Sequence, residues 1–212
     1  MSSDPSASLR ASSVAGTIRE HRLIAVLRRI EPRGRLVALV DELVADGIRI
    51  FEVTFDATDA AADLAAVRAH VGDAALVGAG TIRMPEQLRA AIDTGAAFGV
   101  SPVLDRQIVD AALAGGLPFV PGAYSPTEID AAWRAGATFV KLFPASSLGP
   151  SHLRELRGPL PEIETVVTGG IDATNAAAFL DAGAVAVGIG SAIGRMTSNE
   201  RRELVAAIGA TQ

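Results

Sequence analysis

Short runs of apolar, β-prone residues recur along the chain, and their starts lie about 20 to 27 residues apart. That interval is the size of a compact unit made of one strand and one helix. Ala, Val and Leu dominate these runs, as expected for strands buried in a parallel sheet. The predicted strands are Leu23–Arg28, Arg49–Phe55, Leu76–Thr81, Phe98–Val103, Phe119–Tyr124, Phe139–Pro144, Thr165–Gly170 and Val185–Gly190.

Amphipathic segments lie between these runs and are predicted to be helices. Several begin with a proline after a polar residue or methionine, and several end at a glycine, which are common start and stop signals of helices. The clearest segments are Arg35–Ala45, Ala60–His70, Pro85–Thr94, Pro126–Arg134 and Ala173–Asp181.

Eight strands that alternate with helices can form an open doubly wound sheet or close into a barrel. The even spacing, the count of eight and the lack of a GxGxxG turn favour a single α/β domain, the (β/α)₈ TIM barrel. The length of 212 residues suits one such barrel. We expect it to span residues 14–212. Residues 1–13 are rich in Ser and Ala, lack the apolar core of a signal peptide, and are expected to form a disordered leader.

Composition and charge limit the partners. The net charge is −5 and only 4% of residues are aromatic, so neither nucleic acid nor an anionic membrane is an expected partner. The chain has no cysteine, which excludes a thiol nucleophile and a thiolate metal site and is compatible with the cytoplasm. The histidines His21, His70 and His152 are dispersed, so no metal is expected.

Lys141 stands out because it is the only lysine among 19 basic residues. Strand alternation places it on one face with Phe139 and Phe143, in apolar surroundings that disfavour the charged amine. A neutral amine is what addition to a carbonyl requires, and arginine cannot replace it. The alternative is a buried structural lysine paired with a carboxylate.

Glu52 is a second ionisable residue inside an apolar strand, between Phe51 and Val53. A carboxylate rarely stays buried without a partner. Glu52 could therefore serve as a general acid and base, or it could be the ion-pair partner of Lys141 or Arg28. The two interpretations are compatible.

Gly169-Gly170 and Gly190-Ser191 follow the seventh and eighth predicted strands. Many barrels bind a phosphate at this place with bare backbone N–H groups. The alternative is that these glycines only satisfy tight turns. Arg28 and Thr81 also lie at strand ends, where a guanidinium or a hydroxyl can hold a carboxylate or phosphate.

The ordered set of motifs resembles the family of 2-keto-3-deoxy-6-phosphogluconate (KDPG) and 4-hydroxy-2-oxoglutarate aldolases, over about residues 14 to 208. The motifs, each weak alone, are Glu52-Val53-Thr54, Gly78-Ala79-Gly80-Thr81, Ser101-Pro102, Pro121-Gly122, Val140-Lys141-Leu142-Phe143-Pro144-Ala145, Thr168-Gly169-Gly170-Ile171 and Gly190-Ser191.

The resemblance implies a class I aldolase in which Lys141 forms the Schiff base and Glu52 moves the protons. Arg28 and Thr81 would hold the pyruvoyl carboxylate. The other implied substrate-binding residues are Pro102, Phe143 and Thr168 at the pyruvate and Gly169, Gly170, Gly190 and Ser191 at the phosphate. The implied enzyme is a homotrimer without a cofactor or metal, and its substrate is a phosphorylated 2-keto acid.

Asp56 departs from the family pattern, because many members have arginine four residues after the catalytic glutamate. The main expected substrate is the phosphogluconate derivative, cleaved to pyruvate and glyceraldehyde 3-phosphate. The alternatives within the class are the phosphogalactonate epimer and 4-hydroxy-2-oxoglutarate. Outside it, a phosphate-binding barrel isomerase or epimerase would not need an amine on the sixth strand, and a non-catalytic binding barrel would need neither Lys141 nor Glu52.

Overall fold

A ring of parallel strands forms the centre of the structure. The computed structural model describes residues 5–210. Within that range the strands pair in the order β5-β4-β3-β2-β1-β9-β8-β7-β6, and every pair is parallel. The strands are β1 (Leu23–Leu27), β2 (Ile50–Thr54), β3 (Leu76–Gly80), β4 (Gly99–Val100), β5 (Phe119–Val120), β6 (Gly122–Ala123), β7 (Val140–Leu142), β8 (Thr165–Thr168) and β9 (Ala186–Ile189).

One extended segment closes the ring. Strands β5 and β6 are separated only by Pro121, which has no N–H to donate to a neighbouring strand. Gly99 of β4 pairs with Phe119, and Gly122 pairs with Lys141 of β7. The same segment therefore joins both ends of the sheet, and the nine strands occupy eight positions. This arrangement confirms the predicted (β/α)₈ barrel.

Helices cover the outside of the ring and connect successive strands. Helix α6 begins with a reciprocal cap, in which Ser125 Oγ accepts from the N–H of Glu128, whose carboxylate accepts from the N–H of Ser125 at 2.8 Å. The helices are α1 (Pro5–His21), α2 (Arg33–Ala45), α3 (Ala60–Val71), α4 (Pro85–Asp93), α5 (Arg106–Ala114), α6 (Pro126–Arg134), α7 (Gly149–Arg157), α8 (Ala176–Asp181) and α9 (Ser198–Ala210). In the described part of the chain, none of these helices is both long and apolar enough to cross a membrane.

Two apolar cores follow from the alternation of side chains along the strands. The outer core lies between the strands and the helices, and Phe51, Val53 and Val140 belong to it. The inner core lies inside the ring. Its buried residues are Val14, Ala15, Ile18, Ile24, Ile50, Phe98, Val100, Val120, Phe139, Val166 and Ala186.

Helix α1 corrects one expectation. Residues 5–13, expected to be part of a disordered leader, belong to this helix, while residues 1–4 lie outside the described residues. Val14, Ala15 and Ile18 of α1 are buried in the inner core, where they close the amino-terminal end of the ring. Packing of these apolar residues stabilises the helix. The helix then extends towards its amino terminus into the Ser- and Ala-rich segment.

A buried ion pair joins α2 to α9. The Nε of Arg201 donates to Asp46 Oδ2 at 2.6 Å, and the two side chains are 4% and 3% exposed. Ser198 Oγ also donates to Asp46. Burial alone would raise the pKa of Asp46, but the hydrogen bonds from Ser198 and Arg201 outweigh it and keep the pKa below its ordinary value.

Replacing Arg201 with methionine leaves the Asp46 charge buried without its main partner. We expect the free energy of unfolding to fall by about 3–5 kcal/mol at pH 7, measured by urea denaturation. Because the folded-state pKa of Asp46 is lowered, the pair stabilises the protein above the unfolded-state pKa. That stabilisation disappears as the pH falls through the folded-state value. The loss in R201M should therefore shrink at acidic pH, and an equal loss at every pH would contradict this account.

Candidate active site

Lys141 points into the ring from β7. Its two neighbours on the same face are Phe139, which belongs to the inner core, and Phe143, whose ring centroid lies 5.2 Å from the lysine Nζ. The Lys141 side chain is only 6% exposed. The predicted placement of these three residues on one face is confirmed, and the amine stands above an apolar floor.

Glu52 faces Lys141 from β2, on the other side of the ring. The distance from Lys141 Nζ to Glu52 Oε1 is 4.0 Å, and the Glu52 side chain is 2% exposed. Oε1 of Glu52 is buried and has no hydrogen-bond partner within residues 5–210. This oxygen therefore lies at ion-pair distance from the amine and can still accept a hydrogen bond. This geometry fits both interpretations of Glu52, as the ion-pair partner of Lys141 and as a group able to exchange protons with a bound molecule.

A missing side chain makes room for the Glu52 carboxylate. Glu52 lies on β2 next to Gly78 of β3, with Gly80 two residues further on. A Cβ built on Gly80 would overlap the carboxyl group of Glu52, and one on Gly78 would lie 2.5 Å from the ring of Phe98. The space beside Gly80 is thus filled by the carboxyl group of Glu52, and the space beside Gly78 is filled by the ring of Phe98.

A cavity of about 310 Å³ opens above Lys141 at the carboxyl ends of β1, β7, β8 and β9. This is the end of a barrel where active sites are found. It brings together eight of the predicted site residues: Arg28, Lys141, Phe143, Thr168, Gly169, Gly170, Gly190 and Ser191. Glu52 does not line this cavity, but its Oε1 lies 4.0 Å from the Nζ of Lys141, which does.

The Gly169-Gly170 turn has the form expected of an anion site. Both residues have positive φ, +88° and +76°, which favour glycine. Their carbonyls accept from Ser146 N and Asn175 Nδ2 at 2.9 Å. No hydrogen bond within residues 5–210 uses either N–H, so both donors remain available.

Thr168 adds a hydroxyl to the wall of the same cavity. Its Oγ1 is buried and has no hydrogen-bond partner in the described part of the chain. The side chain fits against Gly188 of β9, where a Cβ would lie 2.5 Å from Thr168 Cγ2. A buried hydroxyl without a partner is costly unless a ligand supplies one.

The structure does not bring every predicted residue to the cavity. Thr81 follows β3 with a φ of +58°, and Pro102 follows β4. Neither of them lines the 310 Å³ cavity. Their proposed contacts with the pyruvoyl group remain predictions.

The structure also adds residues that the sequence analysis missed. Arg195 and Asp172 line the cavity beside the two glycine turns. Arg195 is exposed and sits in a short 3₁₀ turn after β9. Its only sequence signal is a basic residue four positions after Gly190-Ser191. Asp172 stabilises the turn itself, because its Oδ1 accepts hydrogen bonds from the hydroxyl and the N–H of Thr174. These bonds hold the pKa of Asp172 below its ordinary value.

Asp56 lies between two arginines, of which Arg28 lines the cavity. Its Oδ2 is 3.4 Å from Arg28 Nη1 and 3.2 Å from Arg29 Nε. The Asp56 side chain is 17% exposed, whereas both arginines are more than half exposed. The carboxylate therefore holds Arg28 beside the cavity that it lines. Within residues 5–210, no group of three or more His, Asp or Glu side chains is arranged to hold a metal ion.

Comparison with known proteins places this chain in one family. The family model described as KDPG and KHG aldolase matches residues 14–209. The 2-dehydro-3-deoxy-6-phosphogalactonate aldolase of Escherichia coli K12 is 33% identical over 181 residues, which are 85% of this chain and 88% of that protein. The 2-dehydro-3-deoxy-phosphogluconate aldolase of Treponema pallidum is 39% identical over 158 residues, 74% of this chain and 73% of that protein.

A solved structure agrees with these sequence matches. It is the KDPG aldolase of Legionella pneumophila, with pyruvate captured as a covalent carbinolamine intermediate. It superimposes with a TM-score of 0.78 at 26% identity, covering 93% of this chain and 98% of that one. The protein is thus a barrel lyase of the aldolase class. It belongs to the KDPG and KHG aldolase family, as its motifs predicted.

Replacing Gly80 with alanine should displace the Glu52 carboxylate, because the new Cβ overlaps it. We expect aldol cleavage to slow about 100-fold, the scale of loss from a 1 Å misplacement of a catalytic group. The matched control is Gly16→Ala in α1, where a Cβ meets nothing within 4 Å. Circular dichroism and the cleavage rate should be measured for both. A folded Gly80→Ala enzyme with wild-type turnover would contradict the assigned position of Glu52.

Proposed function

We propose that this protein is a class I aldolase that cleaves 2-keto-3-deoxy-6-phosphogluconate to pyruvate and glyceraldehyde 3-phosphate. The observation that carries the proposal is the buried pair of Lys141 and Glu52, 4.0 Å apart, beneath a cavity walled by two glycine turns. The names of the T. pallidum and L. pneumophila relatives support the same substrate.

The reaction begins when the neutral amine of Lys141 adds to the C2 ketone. The resulting carbinolamine loses water and leaves a protonated imine. Phe139 and Phe143, on the same face of the strand, border the amine with apolar surface. Glu52, whose Oε1 lies 4.0 Å from the nitrogen, takes the proton that the nitrogen releases, through one water, and returns it to the oxygen of the former ketone. A proton from solvent then lets that hydroxyl leave as water, so Glu52 is again a carboxylate when the carbon–carbon bond breaks.

The carbon–carbon bond then breaks because the protonated imine accepts the electron pair of the C3–C4 bond. The C4 hydroxyl loses its proton to Glu52, directly or through a water, and becomes the aldehyde of glyceraldehyde 3-phosphate. The remaining enamine takes a proton at C3 from Glu52. Water hydrolyses the imine, which releases pyruvate and returns Lys141 as the free amine.

The other half of the substrate requires a phosphate site. The free N–H groups of Gly169 and Gly170, together with Ser191 and Arg195, supply donors and a positive charge on the wall of the cavity. Arg28 is the candidate for the carboxylate, because it lines the same cavity and is held by Asp56. Because the chain has a net charge of −5, an anionic substrate needs donors placed at the site itself, and these residues supply them.

A second substrate has a specific observation in its favour. The E. coli phosphogalactonate aldolase matches a longer part of this chain than the T. pallidum enzyme does. Its substrate differs only in configuration at C4 and yields the same two products. A hydroxyl in the cavity wall such as that of Thr168, which has no partner within residues 5–210, is suited to distinguish the two epimers.

We favour the phosphogluconate derivative. The 4-hydroxy-2-oxoglutarate substrate would leave the phosphate donors unused, and a phosphate-binding isomerase or epimerase would leave Lys141 without a role.

We further propose a homotrimer in the cytoplasm. Exposed apolar side chains support an interface between copies: Met84, Val103 and Tyr124 are 50%, 51% and 44% exposed. All three follow strands on the same side of the ring, after β3, β4 and β6. Sedimentation equilibrium measures the number of chains in the particle.

Pyruvate with sodium borohydride tests the Schiff base. We expect one reduced adduct per chain on Lys141, since the only other primary amine is the α-amine. Intact mass and peptide mapping identify it, and resistance to EDTA checks that no metal is needed. The matched control is Lys141→Arg, which keeps a positive charge but cannot form the adduct. Absence of label on Lys141 in folded wild-type protein would refute the mechanism.

Steady-state cleavage of the two C4 epimers tests the substrate. We expect kcat/KM to be higher for the phosphogluconate derivative, in an assay that couples pyruvate to lactate dehydrogenase. Thr168→Val removes the hydroxyl at nearly constant shape. It should lower kcat/KM for the phosphogluconate derivative by about tenfold and reduce the ratio of kcat/KM between the two epimers. A wild-type preference for the galactonate epimer would make this enzyme the phosphogalactonate aldolase.

A further inference from the structure

A second cavity lies beside the candidate active site. It has a volume of about 660 Å³, roughly twice that of the first, and lies between β1, α2 and the segment after β9. Ile30, Leu39 and Ile193 provide its apolar surface. Its volume is in the range of cavities that bind small molecules. The proposed six-carbon substrate does not require this space.

The two cavities share a wall. Val26, Arg28, Gly190, Ser191 and Arg195 line both of them. The shared residues include the turn after β9, which we assign to the phosphate of the aldehyde half. A ligand that extends beyond this turn therefore enters the second cavity directly. The extension lies on the side of the aldehyde product, because the turn after β9 marks the phosphate end of the substrate.

The charges of the second cavity favour an anion. Four arginines line it, namely Arg28, Arg29, Arg35 and Arg195, against Glu31 and Glu42. Glu42 is already paired with Arg201 at 3.0 Å. Within residues 5–210, Arg35 and Arg195 form no ion pair. Glu31 forms no ion pair within these residues either, so two unpaired guanidinium groups stand against one unpaired carboxylate and leave the cavity with a net positive charge.

We propose that this second cavity is an extension of the aldehyde subsite, which binds the distal phosphate or carboxylate of aldehydes longer than three carbons. The proposal rests on the proposed aldolase function. In the synthetic direction, C3 of the pyruvate enamine bonds to the aldehyde carbon, and the aldehyde oxygen takes a proton. Hydrolysis of the imine then releases a longer 4-hydroxy-2-keto acid. Arg35 is the residue that holds the distal anion, because it lines only the second cavity.

The test is aldol addition of pyruvate to a short and to longer acceptors. Glyceraldehyde 3-phosphate is the short acceptor. Erythrose 4-phosphate carries a distal phosphate, 5-oxopentanoate carries a distal carboxylate, and pentanal is a neutral aldehyde of the same chain length as the latter. We expect kcat/KM for both anionic long acceptors to exceed that for pentanal at least tenfold, as a charged hydrogen bond allows. If only one anion gives this gain, it identifies the group that the subsite binds.

Arg35→Gln separates the extension from the active site. We expect it to lower kcat/KM about tenfold for the anionic long acceptors and to change it less than twofold for glyceraldehyde 3-phosphate. The matched control is Arg89→Gln on α4, an exposed helical arginine that forms no ion pair with any described residue and lies outside both cavities.

Two results would overturn the inference. The first is an enzyme that adds pyruvate to glyceraldehyde 3-phosphate but gains nothing from a distal anion. The second is an equal loss on all acceptors in Arg35→Gln. An enzyme that fails with glyceraldehyde 3-phosphate as well, and that traps no pyruvate on Lys141, would instead refute the proposed function and the extension with it.

Discussion

The structure depends on the approach of two ionisable side chains inside a ring that is otherwise filled with apolar residues. Lys141 Nζ and Glu52 Oε1 lie 4.0 Å apart, and both side chains are nearly inaccessible. Burying either group without the other would be costly, and the glycines of β3 give the Glu52 carboxyl group its space. Because the inner core closes one end of the ring, molecules reach this pair only from the carboxyl ends of the strands.

The ring divides the chemistry between its two sides. Strands β2 and β7 carry the groups that we propose exchange protons and bond with the substrate, and the positions of these groups are set by strand pairing rather than by loops. The turns after β8 and β9 carry free N–H groups and polar side chains for an anion. The reacting groups are therefore held rigidly, while specificity depends on short turns whose side chains can change without disturbing the ring.

The sequence predicted the ring and its buried pair well, because periodic apolar runs and one unexchangeable lysine are local signals. It overextended several strands: Phe98–Val103 contains only the two-residue strand Gly99–Val100, and Pro121 divides another. It did not predict that α1 extends into the leader. The helix is stabilised where Ile18 packs in the inner core, and the strands that form this core come from distant parts of the sequence. Nor did it find Arg195, whose place is fixed by a 3₁₀ turn that leaves no periodic pattern.

The lone lysine has a consequence for how the opening of the barrel can be observed. A protease specific for lysine has one possible cleavage site in the whole chain, and that site lies in β7, where Lys141 is 5% exposed. The folded ring protects the peptide bond after Lys141, so each cut reports a molecule in which β7 has separated from its neighbouring strands. Two fragments of predictable length would appear, and bound pyruvate, by modifying the same side chain, would remove the recognition site altogether.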